Sequence, residues 1–336
     1  MTNLSNPYSQ ILISPVPNHY FGRQSDIQPI LNGISRSEPR SFHIHGTRKI
    51  GKTTLLKFLC DPSGAVHYFS RSLVEYGLPD KGKLLFLYVD CYKLDGQLVL
   101  TKILEAMAQD STLQRILSTQ NTKRFGKDTQ KTQDYFFEIQ ETLSKARIRV
   151  ILILDHFDQT FQTIDKDDEI ILRNISPAFP LLVATEREFA ELRLDPHKSS
   201  PLPPIFIGRT IGLFTHTEAT ELITVPLAPT GKKLSDTQIS FLAKFGGYHP
   251  YLLNLVCEYW YDFVEQYPGE LSNLENKEVQ ERFKLQLSVL PGITAFFAFV
   301  WNYLEPTEQE ILQELAALSE TVDDKAPIFK LAQKGL

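Results

Sequence analysis

The sequence has few cysteines, no long apolar run and no excess of basic residues. Its three cysteines, Cys60, Cys91 and Cys257, lie far apart and form no C-x-x-C pair, so neither a zinc site nor a disulfide framework is indicated. No run of apolar residues approaches the length of a membrane span, and the first twenty residues lack the apolar core of an export signal. We therefore expect a cytoplasmic protein without a membrane anchor.

The charge balance bears on possible partners. The 336 residues include 35 basic and 40 acidic side chains, which give a net charge of −5. Such a chain has no overall positive field to attract nucleic acid, which is therefore disfavoured as the main partner without being excluded. Apolar residues make up 42% of the chain and charged residues 22%, as in ordinary globular proteins with one large core or a few smaller ones.

One stretch carries a recognisable chemistry. It matches the phosphate-binding pattern G-x-x-x-x-G-K-[ST] and consists of Gly46, Thr47, Arg48, Lys49, Ile50, Gly51, Lys52 and Thr53. A strand-like run precedes it and a helical pattern beginning at Thr54 follows, as a P-loop requires. The alternative is a chance match in a glycine-containing turn.

The pattern assigns a role to each part of this P-loop. Its backbone N–H groups and the start of the next helix would surround phosphate oxygens. Lys52 would reach the β- and γ-phosphates, and the Thr53 hydroxyl would bind Mg²⁺. Thr54 is included with the cofactor-binding residues. Arg48 and Lys49 add positive charge near the phosphates, although either could point to solvent.

Apolar runs of strand length alternate with helical periodicity in the first two thirds of the chain. The continuous apolar runs cover residues 84–89, 150–154 and 181–184, and a short strand-like run covers residues 41–45. Strands that are apolar on both faces indicate a parallel sheet covered by helices, so we predict a doubly wound α/β core over 41–214 with its ligand at the carboxyl ends of the strands. Before it, residues 1–40 form a proline-rich strap and a linker helix, and we expect the strap to lie on the next domain. After it, residues 215–300 form an all-α lid.

Polar residues follow several of these strands. Asp155 ends the run 150–154, where nucleotide hydrolases place a second Mg²⁺ ligand, although it could be a turn residue. Thr185 and Arg187 end the next strand and could sense the γ-phosphate or cap the following helix. Asp90, also at a strand end, could contact water or a loop, and a structural role is favoured. His43 and His45 share one face of a strand, for which ordinary packing is favoured over metal binding because no third ligand is near.

Together these features resemble the STAND class of P-loop signalling ATPases, within the wider AAA+ group. The resemblance spans essentially the whole chain and depends on the order of its motifs: Pro15-x-Pro17, Phe21-Gly22-Arg23, Gly46–Thr53, the Asp155 strand, Ala184-Thr185-x-Arg187, and Gly246–Pro250. It further implies that residues 301–336 begin a winged-helix domain. Since that domain would continue into a β-hairpin wing, we expect the chain to be part of a longer protein, the alternative being a domain without the wing.

The resemblance implies a nucleotide-controlled switch. The cofactors would be ATP or ADP with Mg²⁺, and Val16, Phe21, Arg23 and Pro250 would lie on the adenine side. Such proteins commonly assemble into homo-oligomers when activated, act on an effector or sensor partner, and serve signalling or antiviral defence. Arg187, Arg193 and Arg209 are the candidates for sensing the γ-phosphate.

His156 departs from the family pattern, which has a glutamate here that activates the attacking water. A histidine accepts a proton but is not a fixed negative charge, so we expect a weak ATPase at most. The alternative is a surface histidine with Asp158 as its polar partner. Two other functions stay open: a DNA-engaging AAA+ ATPase of initiator or transposition type, and a non-hydrolysing scaffold that retains bound nucleotide.

Overall fold

A computed structural model describes residues 6–9, 11, 20–69, 83–117, 129–192, 200–267, 276–304, 306 and 309–314. The chain divides into two compact units. The α/β unit contains residues 24–48 and 52–211, and the helical unit contains residues up to 23, residues 49–51 and residues from 212 onward.

The α/β unit is built on a five-stranded parallel sheet in the order β2-β3-β4-β1-β5. The strands are β1 (Ser41–His45), β2 (Lys83–Asp90), β3 (Ile148–Asp155), β4 (Leu181–Thr185) and β5 (Phe206–Thr210). Their register places Asp90 opposite Asp155 and His45 opposite Thr185. The polar residues that follow the apolar runs therefore meet at one edge, and the predicted α/β fold is confirmed.

Helices surround this sheet because their apolar residues recur at helical spacing. They are α1 (Gln24–Ile34), α2 (Lys52–Cys60), α3 (Ala65–Tyr68), α4 (Val99–Gln109), α5 (Ser111–Leu117), α6 (Thr129–Lys145), α7 (Asp158–Thr163), α8 (Lys166–Ile175) and α9 (Phe189–Leu192). In α8, for example, Ile171, Leu172 and Ile175 are buried, and the side chain of Asp165 caps the first turn by accepting from the Asp168 N–H. The core of this unit lies between such helix faces and the buried strands β3 and β4.

The helical unit contains α10 (His216–Thr224), α11 (Asp236–Gly246), α12 (Pro250–Gln266), α13 (Lys277–Ser288) and α14 (Pro291–Tyr303). Capping boxes begin α10 and α11, and a proline occupies the first turn of α12 and of α14. In the described part of the chain no single helix is long and apolar enough to cross a membrane, but α13 and α14, bent by 65°, satisfy that test as a pair.

Some elements differ from the sequence-based predictions. The described strap residues 6–9 belong to the helical unit, because Tyr8 is fully buried among its helices. Strand β5 and helices α7 and α8 are not among the predicted elements. Of the predicted winged-helix region, the described residues include only 301–304, 306 and 309–314. The segment around Val16 lies outside the described residues.

Candidate nucleotide-binding site

The P-loop joins β1 to α2. Its backbone has positive φ angles at Lys49 (62°) and Gly51 (105°), a conformation that glycine adopts readily and that is uncommon for lysine. Lys52 begins α2, and its Nζ donates to the carbonyl oxygens of Gly46 (2.6 Å) and Thr47 (3.0 Å). The lysine therefore closes the loop on itself, with Thr53 and Thr54 next to it in the first turn of the helix.

Several carboxylates lie near the Lys52 ammonium group. Burial lowers the pKa of Lys52, whereas the charges of Glu186, Asp158 and Asp155 act to raise it. These acidic residues follow β3 and β4, so the fold brings Asp155 into the electrostatic neighbourhood of the P-loop lysine as the motif leads one to expect. The charge of Arg48 acts in the opposite direction, so the site combines basic residues of the loop with acidic groups from the adjacent strand ends.

Asp155 is almost fully buried, with 1% of its surface exposed. Its Oδ2 accepts a hydrogen bond from the Tyr88 hydroxyl (2.8 Å), and its Oδ1 accepts from the His156 N–H (2.9 Å). Burial and then the charge of Asp155 raise the pKa of Tyr88, which keeps the tyrosine as a donor. Hydrogen bonds of this kind orient carboxylates that bind metals. Tyr88 was not predicted from the sequence, since only the pairing of β2 with β3 brings it to Asp155.

His156 lies at the edge of the site with a positive φ of 56°. Its Nδ1 is 3.0 Å from Asp90 Oδ1, and its ring packs edge-on against Tyr92 with centroids 5.8 Å apart. The polar partner is therefore Asp90 of the neighbouring strand, whereas Asp158 accepts from the Glu186 N–H (2.8 Å). Burial raises the pKa of Asp158 despite the nearby lysine.

A buried hydrogen-bond chain fixes the end of β4. The Thr185 hydroxyl is 2.6 Å from the Arg187 carbonyl oxygen, and His43 Nε2 is 2.6 Å from Thr185 Oγ1. Because the hydroxyl hydrogen goes to the carbonyl, His43 Nε2 carries a proton and donates. Burial and the nearby His45 lower the pKa of His43 to about 3, so it stays neutral. His43, which together with His45 was interpreted as ordinary strand packing, therefore helps to hold the backbone at Arg187 through Thr185.

The other arginine candidates are distributed differently. Arg187 is partly exposed, directly after β4, and Arg209 lies on β5 opposite Ile44. Arg193 lies outside the described residues. Arg187 and Arg209 thus both lie in the α/β unit, near the ends of β4 and β5. The γ-phosphate-sensing role of Arg187 stays a prediction.

Arg23, an adenine-side candidate, is buried within the helical unit, with 5% of its surface exposed. Its guanidinium donates to the carbonyl oxygens of Ile50 (3.0 Å) and Gly212 (2.7 Å) and lies 4.7 Å from the Phe214 ring. Arg23 therefore holds the backbone of a P-loop residue. Phe21 is partly buried against the core of the same unit, whereas Val16 lies outside the described residues.

Pro250 occupies the first turn of α12 in the helical unit. The ring of the next residue, Tyr251, makes a cation–π contact with Lys49. The ammonium nitrogen of Lys49 lies 3.7 Å from the centroid of that ring. Lys49 of the P-loop thus contacts Tyr251, the residue that follows the predicted lid residue Pro250. Tyr251 was not predicted as a site residue, although it directly follows the Gly246–Pro250 motif.

Comparison with known proteins concerns the fold alone. No family model matches the sequence, and no curated protein matches it. Among solved structures, the chain is similar to the Walker-type ATPase of Pyrococcus abyssi, with 12% identity and a TM-score of 0.55 over 97% of this chain and 92% of that one.

Two proteins of Aeropyrum pernix are also similar. The Orc2 protein, solved in ADPNP and ADP complexes, has 13% identity and a TM-score of 0.54 over 99% of this chain and 89% of that one. The Orc1 protein in complex with DNA has 12% identity and a TM-score of 0.51 over 97% of this chain and 80% of that one. At such identities the likeness shows the fold alone, which is a parallel α/β core followed by a helical region.

Proposed function

We propose that this protein is an ATP- and Mg²⁺-dependent molecular switch with slow ATP hydrolysis. The observation that carries the proposal is the electrostatic interaction of the P-loop residue Lys52 with Asp155. Lys52 begins the helix that follows β1, and Asp155 ends β3, so both lie at the carboxyl edge of the parallel sheet. This edge is where open α/β sheets bind their ligands. The nucleotide complexes of the similar Orc2 protein support the same ligand class.

The residues present fit a nucleotide with its metal ion. Gly46 to Lys52 offer a loop with positive φ angles and a cation, and α2 begins directly at the loop, where helix N–H groups favour anions. Asp155 offers a buried carboxylate already oriented by Tyr88. Thr53 and Asp155 would hold Mg²⁺, which prefers oxygen ligands. Lys52 would neutralise phosphate charge.

The switch function is the finer part of the proposal and rests on the resemblance to the STAND class. In that reading, nucleotide state controls homo-oligomerisation and an effector or sensor partner. Lys49 on Tyr251 and Arg23 on the Ile50 carbonyl oxygen support it, because both contacts lie within the helical unit and involve the P-loop residues 49–51, which belong to that unit. Slow hydrolysis is consistent with a switch, and His156 stands where the resemblance implies a glutamate.

Isothermal titration of the purified protein with ATP or ADP in Mg²⁺ tests the binding. Lys52→Ala should weaken ATP affinity by about 100-fold or more, because it removes the cation that pairs with the phosphates. The matched control is Lys57→Ala, which removes an exposed lysine from the same helix α2 and should leave affinity unchanged. Equal affinity of Lys52→Ala and the unaltered protein would refute the P-loop assignment.

Mass measurements in solution test the switch. We expect a larger assembly with a non-hydrolysable ATP analogue than with ADP, and Lys52→Ala should abolish this difference. Tight retention of ADP without turnover or assembly would favour the scaffold instead. A salt-dependent gel shift on duplex DNA would favour the DNA-engaging alternative, for which the net charge of −5 offers no support.

A further inference from the structure

The contact between His156 and Asp90 determines which ring nitrogen carries a proton. Nδ1 of His156 lies 3.0 Å from Oδ1 of Asp90, and a carboxylate oxygen can only accept a hydrogen bond. Nδ1 must therefore be the donor. In the neutral ring Nε2 then has a free lone pair and acts as an acceptor.

Both partners are held in place by further contacts. The His156 N–H donates to Asp155 Oδ1 at 2.9 Å, and the Tyr92 N–H donates to the same Asp90 Oδ1 at 2.9 Å. The ring of Tyr92 also packs edge-on against the imidazole with an interplanar angle of 72°. With φ at 56°, His156 adopts a backbone conformation that β3 alone would not impose. Such conformations persist only where surrounding contacts determine them.

We propose that Asp90 is a positioning residue that fixes His156 in the Nδ1–H tautomer, so that Nε2 accepts a hydrogen bond from the water that attacks ATP. This inference rests on the proposed function. In the step, the water oxygen bonds to the γ-phosphorus while the bond from that phosphorus to the bridging oxygen breaks. One water proton stays on the product phosphate and the other leaves to solvent. His156 orients the water without taking a proton from it, as glutamine does in GTPases.

The simpler interpretation is an exposed pair with no role in hydrolysis. The His156 side chain is 42% exposed and that of Asp90 57%, so any net attraction between their charges is screened by water and adds little stability. The two interpretations differ in what a substitution at Asp90 changes. Fixing the tautomer of His156 requires only an oxygen acceptor at the position of Asp90 Oδ1, whereas an ion pair requires the negative charge of Asp90.

Nitrogen-15 NMR of the nucleotide-free protein tests the tautomer directly, with His156→Ala used to assign the signals. We expect the Nδ1–H form in the unaltered protein and a shift to the Nε2–H form in Asp90→Ala. Asp90→Asn should retain the Nδ1–H form, since its amide oxygen can still accept from both the ring and the Tyr92 N–H. Asp134→Ala, which removes an exposed carboxylate from α6, is the matched control.

Single-turnover hydrolysis extends the test to the water. Asp90→Ala should lower the rate about tenfold or more at unchanged ATP affinity, with Asp90→Asn retaining most of it. An Nε2–H ring in the unaltered protein, or equal rates in Asp90→Ala and Asp134→Ala, would overturn the inference. Failure of the unaltered protein to bind ATP in the titration would instead refute the proposed function, so the two failures are distinguishable.

Discussion

His43 shows how one buried side chain can place a neighbouring strand end. It stacks on the Phe189 ring with centroids 3.7 Å apart and donates to Thr185, whose hydroxyl in turn donates to the Arg187 carbonyl oxygen. Both hydrogen-bonding roles of the Thr185 hydroxyl are thus used within the protein. His43 contributes to the geometry at Arg187 although it belongs to β1.

The buried state of His43 should make stability depend on pH. Its pKa falls from the ordinary 6.5 to about 3 on folding, so the unfolded chain binds more protons between these values. The free energy of unfolding therefore falls as the pH drops below 6.5, by about 2 kcal/mol between pH 6.5 and 5 from this residue. His43→Phe should remove this contribution and flatten the profile measured by urea denaturation.

A neighbour on β1 provides the control for this measurement. Ile44→Val leaves His43 in place and should cost about 0.5 to 1.5 kcal/mol without altering the pH profile. His43→Phe itself should cost about 1 to 3 kcal/mol at pH 7, because Thr185 loses a buried donor. If His43→Phe and the unaltered protein lose stability equally between pH 6.5 and 5, neutral burial of His43 is contradicted.

Single residues were predictable where a local pattern specifies their chemistry. The P-loop lysine and the aspartate after an apolar run follow from motifs that span at most eight positions. The partner of His156 does not, because Asp90 lies 66 positions away and meets it only when β2 pairs with β3. A sequence shows that two strands end in acids, but it does not show that those strands are neighbours.

The first turn of α10 both caps its own helix and binds the segment that precedes α1. Glu218 completes the capping box with Thr215, and its Oε1 also accepts from the Arg23 N–H at 2.5 Å. Gly22, with φ at 69°, lies so close that an added Cβ would meet Glu218 Cβ at 2.8 Å. The segment before α1 is therefore tied to α10 through a glycine that leaves room for a helix cap.

Gly22→Ala should destabilise the helical unit by two mechanisms, backbone strain and collision with Glu218. Gly231→Ala separates them, since Gly231 has a similar φ of 73° with nothing within 4 Å of an added Cβ. We expect about 1 kcal/mol for Gly231→Ala and about 1 to 3 kcal/mol more for Gly22→Ala. Urea denaturation followed by circular dichroism measures both, and equal costs would show that the glutamate moves away freely.

Elements were predictable where their residues form a continuous apolar run. Strands β2, β3 and β4 contain such runs, which can be recognised without knowledge of the neighbouring strand, whereas β1 was indicated by its place before the P-loop. Strand β5 includes Gly208 and Arg209 and lies at the sheet edge, with Ile207 37% exposed, so its residues show neither an apolar run nor alternation. Helix α8 begins with acidic residues after the Asp165 cap, which resemble a polar loop.

On the scale of the whole molecule, the helical unit is assembled from distant parts of the sequence. Tyr8 is fully buried in its core, its hydroxyl donates to the Ile223 carbonyl oxygen, and its own carbonyl oxygen accepts from Asn254 Nδ2. Asn6 adds hydrogen bonds to the Glu258 carbonyl oxygen and to Asp262, both at 2.8 Å. Residues near the start of the chain thus complete a core made by helices more than 200 positions later.

Tyr8→Ala should therefore weaken the helical unit selectively. Loss of a fully buried aromatic ring costs about 3 to 5 kcal/mol, whereas Tyr8→Phe should cost about 1 to 3 kcal/mol because it leaves the Ile223 carbonyl oxygen without its donor. Hydrogen exchange should become faster in peptides from α10 and α12 and stay unchanged in peptides from β1 and β4. Tyr68→Ala, at a side chain 59% exposed on α3, controls for loss of a surface tyrosine. Unchanged exchange in α10 and α12 would contradict a structural role for the strap, since local opening there is governed by the contacts that Tyr8 makes.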